Sequence, residues 1–242
     1  QEAVQLGLGK REGLEQHVRH YANGRDLLQR SRGAMVIDLF GLDEKDVRTR
    51  FPEVYQHIDA TVRVQREEQV RKSATSDAKD YAKTWWLFGK PRQELRPALA
   101  GLPRYIATVE TARHRIFQFV NGDVLPDNKI IVLCFEDAFT LSVLCSEIHQ
   151  QWTFARCGLI GMANFDAGHV YVKSSCFDPF PFPDATPEQR AAIGELAEEL
   201  DATRKAALAE VPGLTMTGIY NWREKLRSGA QLGPQEQDQA RE

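Results

Sequence analysis

Tyr105-Ile-Ala-Thr-Val109, Ile116-Phe-Gln-Phe-Val120 and Lys129-Ile-Ile-Val-Leu-Cys-Phe135 follow one another closely, and their reading decides the fold. Each run is rich in β-branched and aromatic residues, which suit a pleated, half-buried surface, so each is expected to be a strand. Glu136 to Ala155 then reads as one helix, with Ala138, Leu141, Val143, Leu144, Ile148 and Trp152 facing inward. A glycine-containing loop from Cys157 to Gly168 leads to a further strand over His169-Val-Tyr-Val-Lys-Ser174. Phe177-Asp-Pro-Phe-Pro-Phe-Pro183 must be extended, because each proline restricts itself and its predecessor. Its aromatics are expected to latch the end of this region onto its core, while the prolines stop edge pairing.

Outward from this centre, helices flank the strands. Thr186-Pro187 opens a helix running to about Ala209, with proline at its first position, and a second helix spans roughly Thr217 to Leu226. Upstream, Asp43 caps a short helix with Asp46 three residues on. After Phe51-Pro52 a long helical pattern follows, with Val54, Ile58 and Val62 on one face and Arg63, Arg66, Glu67, Glu68, Arg71 and Lys72 on the other. Ser73 to Asp77 reads as a break, and Met35-Val-Ile-Asp-Leu-Phe40 as a short strand. Residues 1–35 are polar and interrupted by glycines, as in a segment ordered by packing on something else. The expected class is α+β, a mixed-sheet domain between helical segments.

The 242 residues are 42% apolar and 27% charged, with a net charge of −3, so any nucleic-acid surface must be local rather than global. No run of about 18 apolar residues offers a membrane span, and no signal segment follows Gln1. A cytoplasmic protein is expected, and the absent initial methionine points to a fragment of a longer chain. Cys134, Cys145, Cys157 and Cys176 lack framework spacing and read as reduced thiols.

The motifs of the common catalytic classes are absent from the sequence. A methyltransferase using S-adenosylmethionine needs a glycine-rich turn after its first strand, and an amino-methylating enzyme also needs an Asn/Asp-Pro-Pro-aromatic loop. Asp178-Pro-Phe-Pro matches the second only superficially. There is no Glu-x-Lys of a metal-dependent nuclease, no phosphate-binding loop and no His-Glu-x-x-His. Cys145, His149 and Cys157 lack paired zinc-ligand spacing and read as core. No catalytic, cofactor or metal site is expected.

One series of stretches carries more. Asn23-Gly-Arg-Asp-Leu27, Met35-Val-Ile-Asp-Leu-Phe-Gly41, Val47 to Tyr55, Trp85-Trp-Leu-Phe-Gly-Lys-Pro-Arg92, Leu95 to Thr108, Leu125-Pro-Asp-Asn128, Ser146-Glu-Ile-His149, Trp152 and Cys176 to Pro183 occur in order over roughly residues 20–225. The series resembles the C-terminal part of MmeI-like DNA methyltransferases, the single-chain Type IIL restriction-modification enzymes. The resemblance implies a connector from a missing methyltransferase domain over 1–42 and a helical spacer over 43–80. It implies a target-recognition domain over 81–184, a C-terminal helical segment over 185–228 and a disordered tail over 229–242. It also implies double-stranded DNA as partner, with S-adenosylmethionine and adenine N6 methylation belonging to the parent, and Mg²⁺ if the parent cleaves.

Under that resemblance the DNA-contacting candidates are as follows. Arg92, Arg96, Arg104, Arg113 and Arg115 are placed to hold phosphates, as is Lys129 in the turn after Asn121. The loop from Leu159 to Val170 offers Asn164, Asp166 and His169 to base edges, because asparagine addresses adenine and aspartate accepts from cytosine. Tyr171 and Lys173 follow on the adjoining strand. Two rivals stand beside this reading. One is a protein-docking α+β module, supported by the near-neutral charge and the alanine-rich helix. The other is a small hydrolase using Cys145 or Cys176, which requires a low-pKa thiol.

Overall fold

The computed structural model describes residues 1–73, 75–160 and 168–239. In chain order the first elements are α1 (Glu2–Gln5), β1 (Val18–Ala22), α2 (Gly24–Leu28), β2 (Met35–Ile37), α3 (Glu44–Arg50) and α4 (Pro52–Ile58). Next come α5 (Val64–Lys72), α6 (Ser76–Lys83), α7 (Leu95–Leu99), β3 (Arg104–Val109), β4 (Thr111–Ala112), β5 (Gln118–Asn121), β6 (Leu125–Pro126) and β7 (Ile130–Leu133). The series ends with α8 (Ala138–Cys145), α9 (Glu147–Arg156), β8 (Gly158–Ile160), β9 (Gly168–Val170), α10 (Pro187–Glu210), α11 (Met216–Ser228) and α12 (Pro234–Gln239). Helix accounts for 52% of the residues and strand for 13%, so the expected α+β class holds with helix in the majority. No helix among the described residues is long and apolar enough to cross a membrane. The chain divides into two compact units, residues 1–21 with 33–100 and residues 22–32 with 101–242.

In the first unit, the core gathers Leu14, Val18, Leu39, Val47, Phe51, Val54, Ile58 and Trp85. Helix α3 starts where the Asp43 carboxylate accepts the Asp46 N–H at 2.7 Å, satisfying an amide that no preceding turn can reach. Val54 and Ile58 lie one helical turn apart and both point inward. The long helical stretch then widens into a π-type turn at Asp59–Arg63 before α5 continues it. The chain breaks at Ser73 and restarts with the Thr75 hydroxyl accepting from Ala78 N–H. Residues read as a connector supply Leu14 and Val18 to this core. Gly13 adopts φ 80°, which explains why a glycine interrupts the helical period there. Strands β1 and β2 pair antiparallel, Arg19 facing Val36.

The second unit is built on β3, whose buried Tyr105–Val109 stretch lies between β5 and β7 in an antiparallel sheet. Ile106 pairs with Phe119 on one side and Leu133 on the other, which places these apolar side chains in one core with Phe117, Leu141, Leu144, Tyr171 and Cys176. A second antiparallel sheet runs β4-β9-β8. Helix α10 opens with a capping box, Thr186 and Gln189 each satisfying the other's N–H. It packs on α8 closely enough that a Cβ on Gly194 would lie 3.5 Å from Ala138 Cβ. Phe180 is buried, with its ring 4.7 Å from His149 and 5.8 Å from Trp152. The polar tail carries α12, tied back by Lys225 to Glu236 at 2.6 Å.

Two local expectations are corrected. The single helix over 136–155 is two helices, because Ser146 takes an extended ψ of 153° and its hydroxyl caps α9 by accepting from His149 N–H at 3.2 Å. A helix advances about 100° per residue, so this break resets the inward face of everything after it. Ile148, expected inside, is 76% exposed, while His149 and Thr153 are fully buried. The strand expected over 169–174 ends at Val170, and Lys173–Phe177 forms a π-type turn closed by Asp178 N–H donating to Lys173 O at 2.9 Å.

Candidate functional site

The positive side chains of the second unit fall into distinct situations. Arg104 leaves β3 with its guanidinium 3.6 Å over the Phe119 ring and donates to Glu136 O at 3.0 Å. It also grips Glu198 through two N–H groups at 2.9 and 2.5 Å, which pulls the Glu198 carboxyl below its usual range and raises the arginine. Arg113 meets Glu224 at 3.0 Å, Lys129 meets Glu110 at 2.7 Å, and Lys173 meets Asp178 at 2.8 Å. These last three cations are exposed.

Arg115 and Tyr171 require correction as DNA contacts, because both lie in the core at 2% exposure. Arg115 donates to Thr108 Oγ1 at 3.1 Å, to Val109 O and to His169 O at 2.8 Å. Its guanidinium stands 5.0 Å over the Tyr171 ring. Burial pushes it down to about 10, so it stays charged at neutral pH. It ties β3 to β9 and cannot reach a phosphate from there.

Tyr171 takes part in a buried polar pair. The Leu144 carbonyl can only accept, so at 3.0 Å it fixes the proton of His149 on Nδ1, leaving Nε2 to accept from Tyr171 Oη at 3.3 Å. Burial lowers His149 to about 4 and raises the Tyr171 phenol. The unfolded chain binds the imidazole proton near pH 6.5 and the folded chain only near 4. Stability from this site is therefore full above pH 6.5 and is lost as pH falls toward 4. From the cost of one pKa unit, the loss reaches roughly 3 kcal/mol by pH 4. His149→Gln should flatten the acid limb of urea-unfolding stability over this window; equal slopes would refute the assignment.

In the first unit, Arg96 forms a two-pronged pair with Asp38, one contact at 2.9 Å, and stacks 4.9 Å over Phe40. Asp38 is 3% exposed, so Arg96 is engaged in holding this unit together and is corrected as a phosphate contact. Arg92 is exposed and adopts φ 53°, a left-handed conformation uncommon outside glycine.

The remaining candidates surround the β8–β9 hairpin. His169 pairs with Leu159 across the hairpin and with Ala112 of β4, and its ring lies 4.6 Å from Phe154. Its Nδ1 is buried without a partner among the described residues. Asn164 and Asp166 lie outside the described residues. The sequence reading missed Arg156, which ends α9 just before the hairpin and sits 4.7 Å over the Trp152 ring. A signal was available, since Arg156 is the only Asp, Glu, Lys or Arg between Glu147 and Asp166. As for nucleophiles, burial raises the thiols of Cys145 and Cys157, the opposite of what a reactive cysteine needs.

A cleft of about 380 Å³ in the second unit is lined by Asp26, Leu27, Gln29, Arg30, Gln118 and Lys205 among others. Its polar groups are engaged within the fold. Asp26 is held by Arg32 at 2.8 Å, Arg30 donates to Leu208 O and Val211 O, and Lys205 pairs with Asp201 at 2.5 Å. Among the described residues no group of His, Cys, Asp and Glu is placed to hold a metal ion.

A family model described as "MmeI, target recognition domain" matches residues 7–184. Among solved structures, the Type IIL restriction-modification enzyme MmeI in complex with DNA shares the fold at a TM-score of 0.62 and 19% sequence identity. The match covers 90% of this chain and 27% of that one, so the chain spans about a quarter of the length of that protein. No curated protein matches.

Proposed function

The chain belongs to the MmeI target recognition domain family, and on that premise we propose that it reads a specific sequence in double-stranded DNA on behalf of a restriction-modification enzyme. The family match over residues 7–184 carries this reading. The parent would be a methyltransferase acting on adenine N6, with S-adenosylmethionine bound in another domain. The cleft beside Asp26 does not fit that cofactor, because Arg32 already occupies the carboxylate a ribose would need and the cations are engaged within the fold. Residues 81–184 would form the reading module proper, with the C-terminal helices supporting it.

Arg92, Arg113, Lys129, Lys173 and His169 remain candidate contacts, together with Asn164 and Asp166. The carboxylates on Arg113, Lys129 and Lys173 are no obstacle. Exposed ion pairs are worth about 0–1 kcal/mol, so exchanging such a carboxylate for a phosphate costs little. Arg104 is less available, since its pair with Glu198 is reinforced by a carbonyl and a ring.

Selection of bound duplexes from a randomised pool, at low and near-physiological salt, tests the reading. An enriched motif that strengthens over rounds is the expected result. Absence of binding even at low salt would overturn it and favour the docking module, for which the exposed Leu196 and Leu200 of α10 are the available surface.

A further inference from the structure

We propose that Arg156, stacked on Trp152 at the end of α9, contacts the phosphate backbone of duplex DNA at the base of the β8–β9 hairpin, an assignment that rests on the DNA-reading function above. The argument begins with unused hydrogen-bonding capacity. A guanidinium carries five N–H donors, and among the described residues none of those of Arg156 has a hydrogen-bond or ion-pair partner. Other candidate cations of the second unit differ in this respect. Arg113, Lys129 and Lys173 each face a carboxylate, and Arg115 is spent on carbonyls inside the core.

Arg156 is also positioned rather than loose. Its guanidinium lies 4.7 Å over the Trp152 ring, and that indole is anchored by donating to Cys176 O at 3.0 Å and by its edge contact with Phe180. Stacking on an aromatic face fixes the plane of the guanidinium while leaving its N–H edge free, the arrangement suited to a two-pronged phosphate contact. A helix C-terminus favours a cation there, which accounts for the charge at this position but consumes none of the donors. In a domain that reads duplex DNA, the occupant that fits a fixed, unneutralised guanidinium edge is a backbone phosphate.

The test uses the full chain and labelled duplexes, both of random sequence and of any selected motif, titrated over a range of salt concentrations. Arg156→Ala is expected to weaken binding about tenfold on every sequence and to lower the salt-dependence slope by about one, as loss of a single phosphate contact does. Arg156→Lys should recover part of the affinity. Both variants should keep the wild-type thermal melt, because the side chain is exposed. Arg227→Ala, which removes an equal charge from a pair with Glu147, is the control and should bind as wild type does. Unchanged affinity in Arg156→Ala, with the wild type binding, would overturn the contact and leave the DNA reading intact. An equal loss in Arg227→Ala would also overturn it, by reducing the effect to general charge. A wild type that binds no duplex at low salt would remove the DNA reading, and this contact with it.

Discussion

Arg115→Met should cost the chain about 4 kcal/mol, read as a large drop in the urea midpoint with an unchanged slope. The substitution preserves much of the side-chain volume but removes every donor. Val109 O, His169 O and Thr108 Oγ1 lose their partner together, in a place that water does not reach. Each buried polar group left without a partner costs about 1–3 kcal/mol, so three of them dominate any gain from no longer burying a charge. Arg115→Lys should fall between wild type and Arg115→Met, because a single ammonium cannot address β3 and β9 with the geometry of a planar fork. A loss below about 1 kcal/mol in Arg115→Met would show that the carbonyls find other donors and would remove Arg115 as the tie between these strands.

Asp38→Ala is the second large effect expected, about 3 kcal/mol, and it arises in the other unit. Arg96 keeps only 15% of its side chain exposed, so deleting the carboxylate leaves a mostly buried guanidinium facing nothing of opposite sign. Breaking a buried pair from one side costs about 3–5 kcal/mol, whereas removing both charges costs far less. Asp38→Ala combined with Arg96→Met should therefore be more stable than Asp38→Ala alone. The coupling measured by the double-mutant cycle decides the matter; a coupling near zero would mean that the stacking on Phe40, and not the charge pair, holds Arg96.

Much of the architecture was legible because it rests on neighbours in sequence. The strands around Ile106, Phe119 and Leu133 announce themselves by β-branched and aromatic residues. Helix α10 announces itself by Thr186, Pro187 and Gln189, and α3 by Asp43 and Asp46. Those signals are local, and the structure keeps them within a residue or two. Ser146 shows the limit of such reading. A serine inside an apolar helical pattern is ambiguous between helix interior and cap, and choosing the interior moved Ile148 inside and hid the burial of His149 and Thr153.

The state of the charges was not legible at all. Arg104 meets a glutamate 94 residues away and Arg113 one that is 111 residues away, so no local window shows whether either cation is committed. Arg156 went unnoticed for the complementary reason, since its importance lies in having no carboxylate partner among the described residues. The α+β class, the main strands and helices and the resemblance to a DNA-reading family follow from residues close in the chain, because propensity, capping and motif order are short-range properties. Which cations are buried, which are paired and which keep their donors unused among the described residues emerges on folding, because charge pairing is set by distances between segments that meet only in the folded chain.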